Sequence, residues 1–386
     1  MNTRNRKLRM GMVGGGPGAL IGKIHRIAAT MDGEVELTAG VFSRDFEKTR
    51  QTGQDLHLDP DRCYRNFEEM AKKEARLPAH RRIDFVTVVT PNNSHFPIAR
   101  CFLEEGFHVV CDKPMTYSVA EARDLVSLVE KTGLVFCLTH NYTGFSLVRH
   151  ARHLFTSGQM GSIRKVIVEY LSGGMTDPVE KQGSKQAAWR VDPARAGAGG
   201  TLGDIGTHAF NLLEYITGDE VSRICVDKSS FVEGRVLDDD ANLLLQLRGG
   251  GKGAILISQV ATGEENGLAI KIYGSKGAIR WNQEEPMKLD LLLKGQERRI
   301  VTPGHPWLSE SAKEVTRTPP GLPEGYLAAF ANIYHGVVTA IHLHTAGTPM
   351  KSTDYPFPTV YDGLRGMGFI EKAVESAREG SLWVEI

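Results

Sequence analysis

The sequence lacks a net charge and a long apolar run. Lysine plus arginine number 46, aspartate plus glutamate also number 46, and the formal net charge at pH 7 is therefore zero. A neutral chain lacks the basic surface by which proteins bind nucleic acid or anionic membranes. No apolar stretch reaches the ~18 residues of a membrane-spanning helix, and the N-terminal segment has no apolar core typical of a signal peptide. We therefore expect neither nucleic acid nor membrane as a partner.

Cysteine is scarce and its spacing excludes two further classes. There are five cysteines, an odd number, and no two form a CxxC pair. Neither a disulfide framework nor a structural zinc site fits this pattern, and a reducing compartment does. The sequence thus predicts a cytoplasmic protein.

We predict no metal site. His150 with His153, and His342 with His344, have no carboxylate or cysteine partner at ligand spacing. The run Asp238–Asp240 resembles a metal-binding cluster, but it precedes an apolar run and is interpreted as a solvated turn.

The first 140 residues alternate short apolar runs with amphipathic segments of helix length, which is typical of an α/β domain with a parallel sheet. The predicted strands are 8–13, 35–42, 85–89, 108–111 and 135–138, and the predicted helices are 23–31, 47–54, 66–73, 96–105 and 118–131.

The rest of the chain predicts a mostly antiparallel sheet, because strand-like runs follow one another with close turn signals. These runs are 165–171, 221–232, 242–248, 253–260, 269–273 and 278–282, with helices predicted at 325–342 and 359–378. A length of 386 residues suits two domains. We place them at 1–140, for a dinucleotide, and 141–386, for substrate binding and oligomerisation; the last helices are expected to pack back on the first domain.

A glycine-rich segment joins the first strand to the first helix. Glycines permit a tight turn and a close approach of backbone to a pyrophosphate, and the helix N-terminus offers free N–H groups to the anion. A plain strand-to-helix turn is the alternative. The spacing departs from GxGxxG, so that Ala19 or Gly22 has to serve as the third position. The predicted cofactor-binding residues here are Gly14, Gly16, Pro17, Gly18, Ala19, Leu20 and Ile21.

The end of the second strand bears on the type of dinucleotide. Ser43 and Arg44 offer a hydroxyl and a guanidinium, which suit the 2′-phosphate of NADP. Asp45 would serve the ribose of NAD if the register were shifted. The cofactor is therefore NAD(P), with a preference for NADP.

Polar residues follow three further predicted strands, at the edge where parallel sheets bind ligands. A fourth cluster, from Gly199 to His208, leads into a helix on which Asp204 and His208 share one face. The residues after the three strands that we assign to cofactor binding are Thr90, Pro91, Asn92, His95, Asp112, Lys113 and Asn141.

A glycine loop, TPNxxH, DKP and GGxxxDxxxH occur in this order, and together they resemble the Gfo/Idh/MocA family of NAD(P)-dependent sugar and polyol oxidoreductases. The resemblance covers nearly the whole chain. Asp112 replaces the usual Glu before Lys-Pro, and the glycine loop is longer. The resemblance implies a Rossmann domain followed by an α/β domain with a large open sheet. It also implies hydride transfer between a ring secondary hydroxyl and the nicotinamide.

The resemblance makes Lys113, Asp204 and His208 the catalytic residues. His208 is the best proton acceptor, because an unperturbed histidine pKa of ~6.5 is close to working pH. Lys113 would stabilise the developing alkoxide, and it is itself the alternative proton acceptor if burial lowers its pKa. Asp204 would orient the pair or bind a second hydroxyl.

Other residues have a functional interpretation and a packing alternative. Tyr142 and Tyr170 are expected to contact substrate, although Tyr142 also suits a core position. The resemblance implies that Trp189 and Arg190 contact nicotinamide or substrate; packing of their loop is the alternative. His95 either lines the nicotinamide pocket or caps the following helix.

Two other functions share this scaffold. One is an enzyme that holds NAD tightly and uses it transiently in glycosidic cleavage or epimerisation. The other is a cofactor-sensing regulator, which the presence of Lys113, Asp204 and His208 disfavours. Sugars, anhydrosugars and inositol-like polyols all remain candidate substrates, and an open sheet with one apolar face predicts a homo-oligomer, a dimer or tetramer.

Overall fold

The computed structural model describes residues 6–183 and 185–386, which form two compact units. The first unit contains the chain up to His140 together with Phe330–Leu364, and the second contains Asn141–Ala329 and Arg365–Ile386. The structure does not describe the first five residues, which belong to the N-terminal segment for which we predicted no signal peptide. Within that part, no helix is long and apolar enough to cross a membrane.

A five-stranded parallel sheet forms the centre of the first unit, as predicted. Its strands lie in the order β2-β1-β3-β4-β5. Nearly every residue of β1, and all residues of β3 to β5, are buried, because helices cover both faces of a parallel sheet. The bounds are β1 Leu8–Gly14, β2 Val35–Val41, β3 Phe85–Val89, β4 His108–Cys111 and β5 Phe136–Leu138.

Five helices connect these strands, and short polar side chains begin three of them. Asp45, Asn66 and Ser118 each accept a backbone N–H of the first turn, which satisfies one of the unpaired donors there. The helices are α1 Leu20–Thr30, α2 Phe46–Asp55, α3 Phe67–Arg76, α4 His95–Glu104 and α5 Val119–Thr132.

The second unit contains a nine-stranded sheet in the order β13-β12-β11-β10-β6-β9-β8-β7-β14. Only β6 and β9 pair in parallel, so the predicted mostly antiparallel sheet is confirmed. The strands are β6 Ile163–Leu171, β7 Val221–Ser229, β8 Asp240–Leu247, β9 Lys252–Ser258, β10 Gly267–Gly274, β11 Gly277–Asn282, β12 Leu289–Leu293, β13 Arg299–Val301 and β14 Val384–Glu385.

The two faces of this large sheet differ. In β9, Ile255 and Ile257 are buried, whereas Ala254 and Leu256 on the opposite face are half-buried. Helices α6 and α9 pack together, and α9 lies against β6 on the buried face. The remaining helices are α6 Ser146–Thr156, α7 Lys185–Arg190, α8 Pro193–Ala196, α9 Thr207–Thr217, α10 Glu310–Lys313, α11 Tyr326–Thr345 and α12 Val360–Arg378.

Candidate active site

The loop between β1 and α1 depends on glycine at several positions. Gly14, Gly15 and Gly18 have φ of +94°, +73° and +80°, where side chains with a Cβ are strained. A Cβ at Gly16 would lie 2.4 Å from the carbonyl oxygen of Phe42, and one at Gly22 would lie 2.2 Å from Cα of Gly15. The helix and the loop therefore pack closely at Gly22, and Gly22 rather than Ala19 serves as the third position of the glycine motif.

The same loop leaves room and donors for an anion. Among the described residues, no side chain caps the N-terminus of α1 at Ala19, and none lies within 4 Å of a Cβ built on Gly18. The Arg26 guanidinium donates to the carbonyl of Gly15 at 2.8 Å and so braces the loop from the helix. An uncapped helix of 11 residues behind an open glycine fits a dinucleotide pyrophosphate.

The side chains after β2 are differently engaged. Arg44 is exposed, whereas the Asp45 carboxylate accepts the Glu47 N–H at 3.1 Å and lies 3.5 Å from the Lys48 ammonium. Ser43 Oγ accepts the Asp45 N–H at 3.1 Å. Asp45 thus caps α2, and Arg44 is the group that projects into solvent at this strand end.

His95 joins the loops that follow β3 and β4. Its Nδ1 lies 2.8 Å from the Pro114 carbonyl oxygen, and its Nε2 lies 2.8 Å from the Thr90 carbonyl oxygen. Burial lowers its pKa, and the side chain is 0% exposed. Both ring nitrogens of His95 thus brace backbone, and within the described part of the chain no side-chain hydrogen bond caps α4 at Ser94.

Lys113 is half-buried at the carboxyl end of β4. The Asp112 carboxylate accepts the Lys113 N–H at 2.9 Å and the Thr139 hydroxyl at 3.0 Å, and so fixes the turn that carries the lysine. Burial, followed by the charge of Lys113, lowers the pKa of His140 to about 3. His140 is thus held neutral at physiological pH within the range of the lysine charge.

Thr90, Pro91 and Asn92 occupy the loop after β3 as expected; the first two are half-buried and Asn92 is buried. Asn141 follows β5, at the start of the second unit, and is 1% exposed. Its side-chain oxygen and nitrogen are both buried without a hydrogen-bond partner among the described residues. Such an amide is costly unless something binds it, which agrees with its assignment to cofactor binding.

Asp204 lies on a π-helical turn, Leu202–Gly206, that leads directly into α9 and His208. Wide turns of this kind occur frequently at functional sites. The carboxylate accepts the Gln259 amide at 2.9 Å, and the Arg190 guanidinium Nε lies 3.1 Å away. Gln259 in turn accepts the Thr201 hydroxyl at 2.9 Å, so Asp204 is held from two sides.

Asp238 supports this turn. Its carboxylate accepts the N–H groups of Gly200 and Leu202 at 3.0 and 2.8 Å, and burial raises its pKa. The neighbouring Asp239 is also buried and pairs with Arg235. The interpretation of this run as a solvated turn is therefore wrong for both residues: their carboxylates satisfy backbone N–H groups inside the unit.

Tyr142 and Tyr170 lie beside His208. The ring centroids of Tyr142 and His208 are 4.8 Å apart, and those of Tyr170 and His208 are 6.4 Å apart. Trp189 packs under the Arg190 guanidinium, 5.4 Å from it. The second unit thus gathers six of the predicted residues into one cluster: Tyr142, Tyr170, Trp189, Arg190, Asp204 and His208.

One group of side chains has the composition of a metal site that the sequence did not reveal. Ligand atoms of Asp32, Glu34 and His335 lie within 4.8 Å of one another, and Glu34 Oε2 is 2.9 Å from His335 Nδ1. The histidine is 301 residues from the glutamate, so no motif spacing could indicate it. The three side chains are exposed or half-buried, and no further feature of the cluster points to an ion.

The sequence matches two family models and is similar to several known proteins. Residues 8–140 match the family described as "Oxidoreductase family, NAD-binding Rossmann fold", and residues 148–280 match the GFO/IDH/MocA C-terminal domain. The uncharacterized oxidoreductase YfiI of Bacillus subtilis is 34% identical over 99% of this chain and 97% of its own length. Levoglucosan dehydrogenase of Pseudarthrobacter phenanthrenivorans is 25% identical over 79% of this chain and 80% of its own.

A solved structure is similar over the full length. The inositol dehydrogenase homolog from Azotobacter vinelandii, complexed with NADH and myo-inositol, matches with a TM-score of 0.93 at 33% identity, covering 100% of this chain and 99% of that one. The matched family and these relatives identify the chain as an NAD-dependent dehydrogenase. The chain belongs to the Gfo/Idh/MocA family of oxidoreductases.

Proposed function

We propose that this protein transfers a hydride between a ring secondary hydroxyl of a cyclic polyol, sugar or anhydrosugar and NAD(P). The observation that carries the proposal is the cluster around Asp204 and His208, in a chain that also has the pyrophosphate-type glycine loop and Lys113. The similarity to an inositol dehydrogenase homolog and to a levoglucosan dehydrogenase supports a hydroxylated ring as the substrate class.

The cofactor would be held by the glycine loop, with Arg44 beyond β2, the loop carrying Thr90, and Asn141. When bound, the cofactor would supply the hydride acceptor for the carbinol carbon. The open Gly18, the uncapped α1 and the unpartnered Asn141 amide are the features that fit it.

In the oxidation, His208 removes the hydroxyl proton and Lys113 donates a hydrogen bond to the same oxygen, where negative charge develops. Asp204 accepts a second hydroxyl of the ring or orients His208.

We further propose a preference for NADP over NAD. Arg44 is exposed at the strand end, and Asp45, which would bind a ribose hydroxyl of NAD, is occupied in capping α2. The change Arg44→Ser should raise the KM for NADP about tenfold and leave that for NAD unchanged. Arg50→Ser, on the exposed side of α2, is the matched control. A wild-type enzyme with a strong preference for NAD would overturn this part of the proposal.

A homo-oligomer and a cytoplasmic location complete the proposal. The outer face of the large sheet carries Leu244, which is 52% exposed, and the half-buried Ile167 and Leu256. Such a face favours burial against another copy. All five cysteines are free thiols, as in a reducing compartment.

The test is a screen of inositols, sugars and anhydrosugars with each cofactor, following absorbance of the reduced cofactor at 340 nm. We expect steady turnover with at least one unphosphorylated ring polyol. Redox-neutral conversion of a substrate, or cofactor binding with no conversion of any ring alcohol, would contradict the proposal.

A further inference from the structure

Two tyrosines beside His208, Tyr142 and Tyr170, form a closed ring of hydrogen bonds with Asn266. The Tyr170 hydroxyl donates to Asn266 Oδ1 at 2.7 Å, and Asn266 Nδ2 donates to the Tyr142 hydroxyl at 3.4 Å. The two tyrosine oxygens are 2.6 Å apart. Since Tyr170 already uses its proton, Tyr142 donates to Tyr170, and all three donors run in one direction around the ring. Hydrogen bonds arranged in this way strengthen one another.

Two members of this hydrogen-bonded ring have their aromatic rings against the imidazole of His208. The Tyr142 ring is nearly perpendicular to that of His208, at 77° and 4.8 Å, and Phe145 and Tyr326 flank Tyr142 on other sides. Tyr142 comes from the turn after β5, Tyr170 from β6, and Asn266 from the loop before β10. Three separate elements therefore hold the two tyrosine rings that lie against the histidine side chain.

These tyrosines are poor candidates for direct substrate contact. Tyr142 and Tyr170 are 3% and 5% exposed, and each hydroxyl already has two partners in the ring. Burial raises the pKa of both phenols, so neither exchanges its proton readily near neutral pH. Their burial and mutual hydrogen bonds favour a supporting role for both tyrosines.

We propose that Tyr142, Tyr170 and Asn266 are positioning residues, which hold the His208 imidazole in the orientation that accepts the substrate proton. The inference rests on the proposed function, in which His208 is the proton acceptor. Asn266, which no motif indicated, closes the ring, because it accepts from one phenol and donates to the other.

The test uses the full-length enzyme with Tyr170→Phe and Asn266→Ala, against the controls Tyr273→Phe and Asn242→Ala on the same sheet. Two quantities are measured. One is kcat and KM with a ring polyol found by the screen. The other is the NMR resonance of the His208 Cε1–H in the enzyme alone, identified by its absence in His208→Gln.

We expect both ring variants to lower kcat about 10- to 100-fold with little change in KM, because a small displacement of a reacting group has that effect. The solvent deuterium isotope effect on kcat should rise, and the His208 resonance should shift. Both controls should behave as wild type. A merely structural role would lower the unfolding temperature without this split between kcat and KM.

Wild-type kcat and an unshifted His208 resonance in folded Asn266→Ala would overturn the inference. Asn266 is half-buried in a loop, so this variant decides the matter if Tyr170→Phe does not fold. If His208→Gln keeps full turnover, the proposed function of His208 fails. The resonance measured without substrate then still shows whether the ring orients the histidine.

Discussion

His208 and Lys113 have different tasks in the proposed reaction, and exogenous bases can tell them apart. His208→Ala should lower kcat about 10²- to 10⁴-fold, as expected for loss of a general base, and leave the affinity for the cofactor unchanged. Imidazole in the buffer should restore part of the rate, because a small base can enter the space of the missing ring. Steady-state kinetics with and without imidazole measure this.

Lys113→Ala should lose activity that primary amines restore and imidazole does not. The control for His208→Ala is His153→Ala, which replaces an exposed histidine on α6 and should be fully active. Full activity of His208→Ala alongside amine rescue of Lys113→Ala would assign the proton to the lysine instead.

Gln259 holds the Asp204 carboxylate through one hydrogen bond from the end of β9. Gln259→Leu should lower kcat/KM about tenfold, the effect of about 1.4 kcal/mol, since a hydrogen bond to a charged group contributes on that scale. Gln246→Leu on β8 is the matched control. Steady-state kinetics and a thermal melt are measured for both variants. Wild-type activity in Gln259→Leu, or a loss of stability without a loss of activity, would contradict this role of Gln259.

Among single residues, sequence motifs identify the candidate catalytic side chains and miss the side chains that position them. Lys113, Asp204 and His208 follow strands or open a helix, so the sequence places them near a ligand. Gln259 and Asn266 also follow or precede buried strands, which is the one signal that could have found them. Asp238 was misjudged, because three consecutive acids suggest solvent unless the backbone N–H groups they bind are known.

Two glycines of the first unit offer a matched comparison at the scale of the loop and helix. Gly18 and Gly33 both have positive φ, +80° and +71°, and a Cβ on either meets nothing within 4 Å. Gly18→Ala and Gly33→Ala should each cost about 1 kcal/mol of stability through backbone strain. Only Gly18→Ala should also weaken cofactor binding, about tenfold or more, because its methyl group would occupy the space left for the pyrophosphate.

Cofactor fluorescence titration and chemical denaturation measure the two effects. Equal affinities in the two variants would show that the open glycine does not face the cofactor.

Elements with a clear period were predictable, and elements at the margins were not. The buried strands β3 and β4 were predicted with the residues that the structure gives them, β3 as a continuous apolar run. Helix α6 was missed although its apolar residues recur with the helical period, and Arg149 and His150 are buried in it. The strands β12, β13 and β14 were also missed; two of them are only three and two residues long, and their pairing partners decide their conformation.

The stability of the molecule should fall with acid through its buried histidines. His108 Nδ1 accepts the Val135 N–H at 2.9 Å, and burial lowers the pKa of His108 to about 3. Between about 6.5 and 3 the unfolded chain therefore binds a proton that the folded chain does not. The free energy of unfolding is highest above this window and decreases as pH falls through it.

His108→Asn keeps an acceptor for Val135 but does not titrate. It should flatten the pH dependence by on the order of 2–4 kcal/mol across the window, whereas His153→Asn should not. Urea unfolding at a series of pH values measures this, and an unchanged slope in His108→Asn would contradict it.

The division of the chain was only partly visible in the sequence. The sequence shows a change from a parallel to an antiparallel pattern of strands near residue 140, because this change depends on local strand and helix periods. Residues 330–364 group with the first unit although they follow the second in the chain. The hydrogen bond between Tyr334 and His25, 309 residues apart, shows why: such pairing depends on tertiary contacts that no local pattern records.

The central claim is that this dehydrogenase moves a hydride from a ring carbon to a dissociable cofactor. The most direct measurement supplies the polyol identified by the screen with deuterium on its ring carbons and determines the mass of the cofactor after reaction. We predict one deuterium in each reduced cofactor molecule, and one ketone formed for each. A redox-neutral product, with the deuterium returned to it and no reduced cofactor released, would contradict the claim.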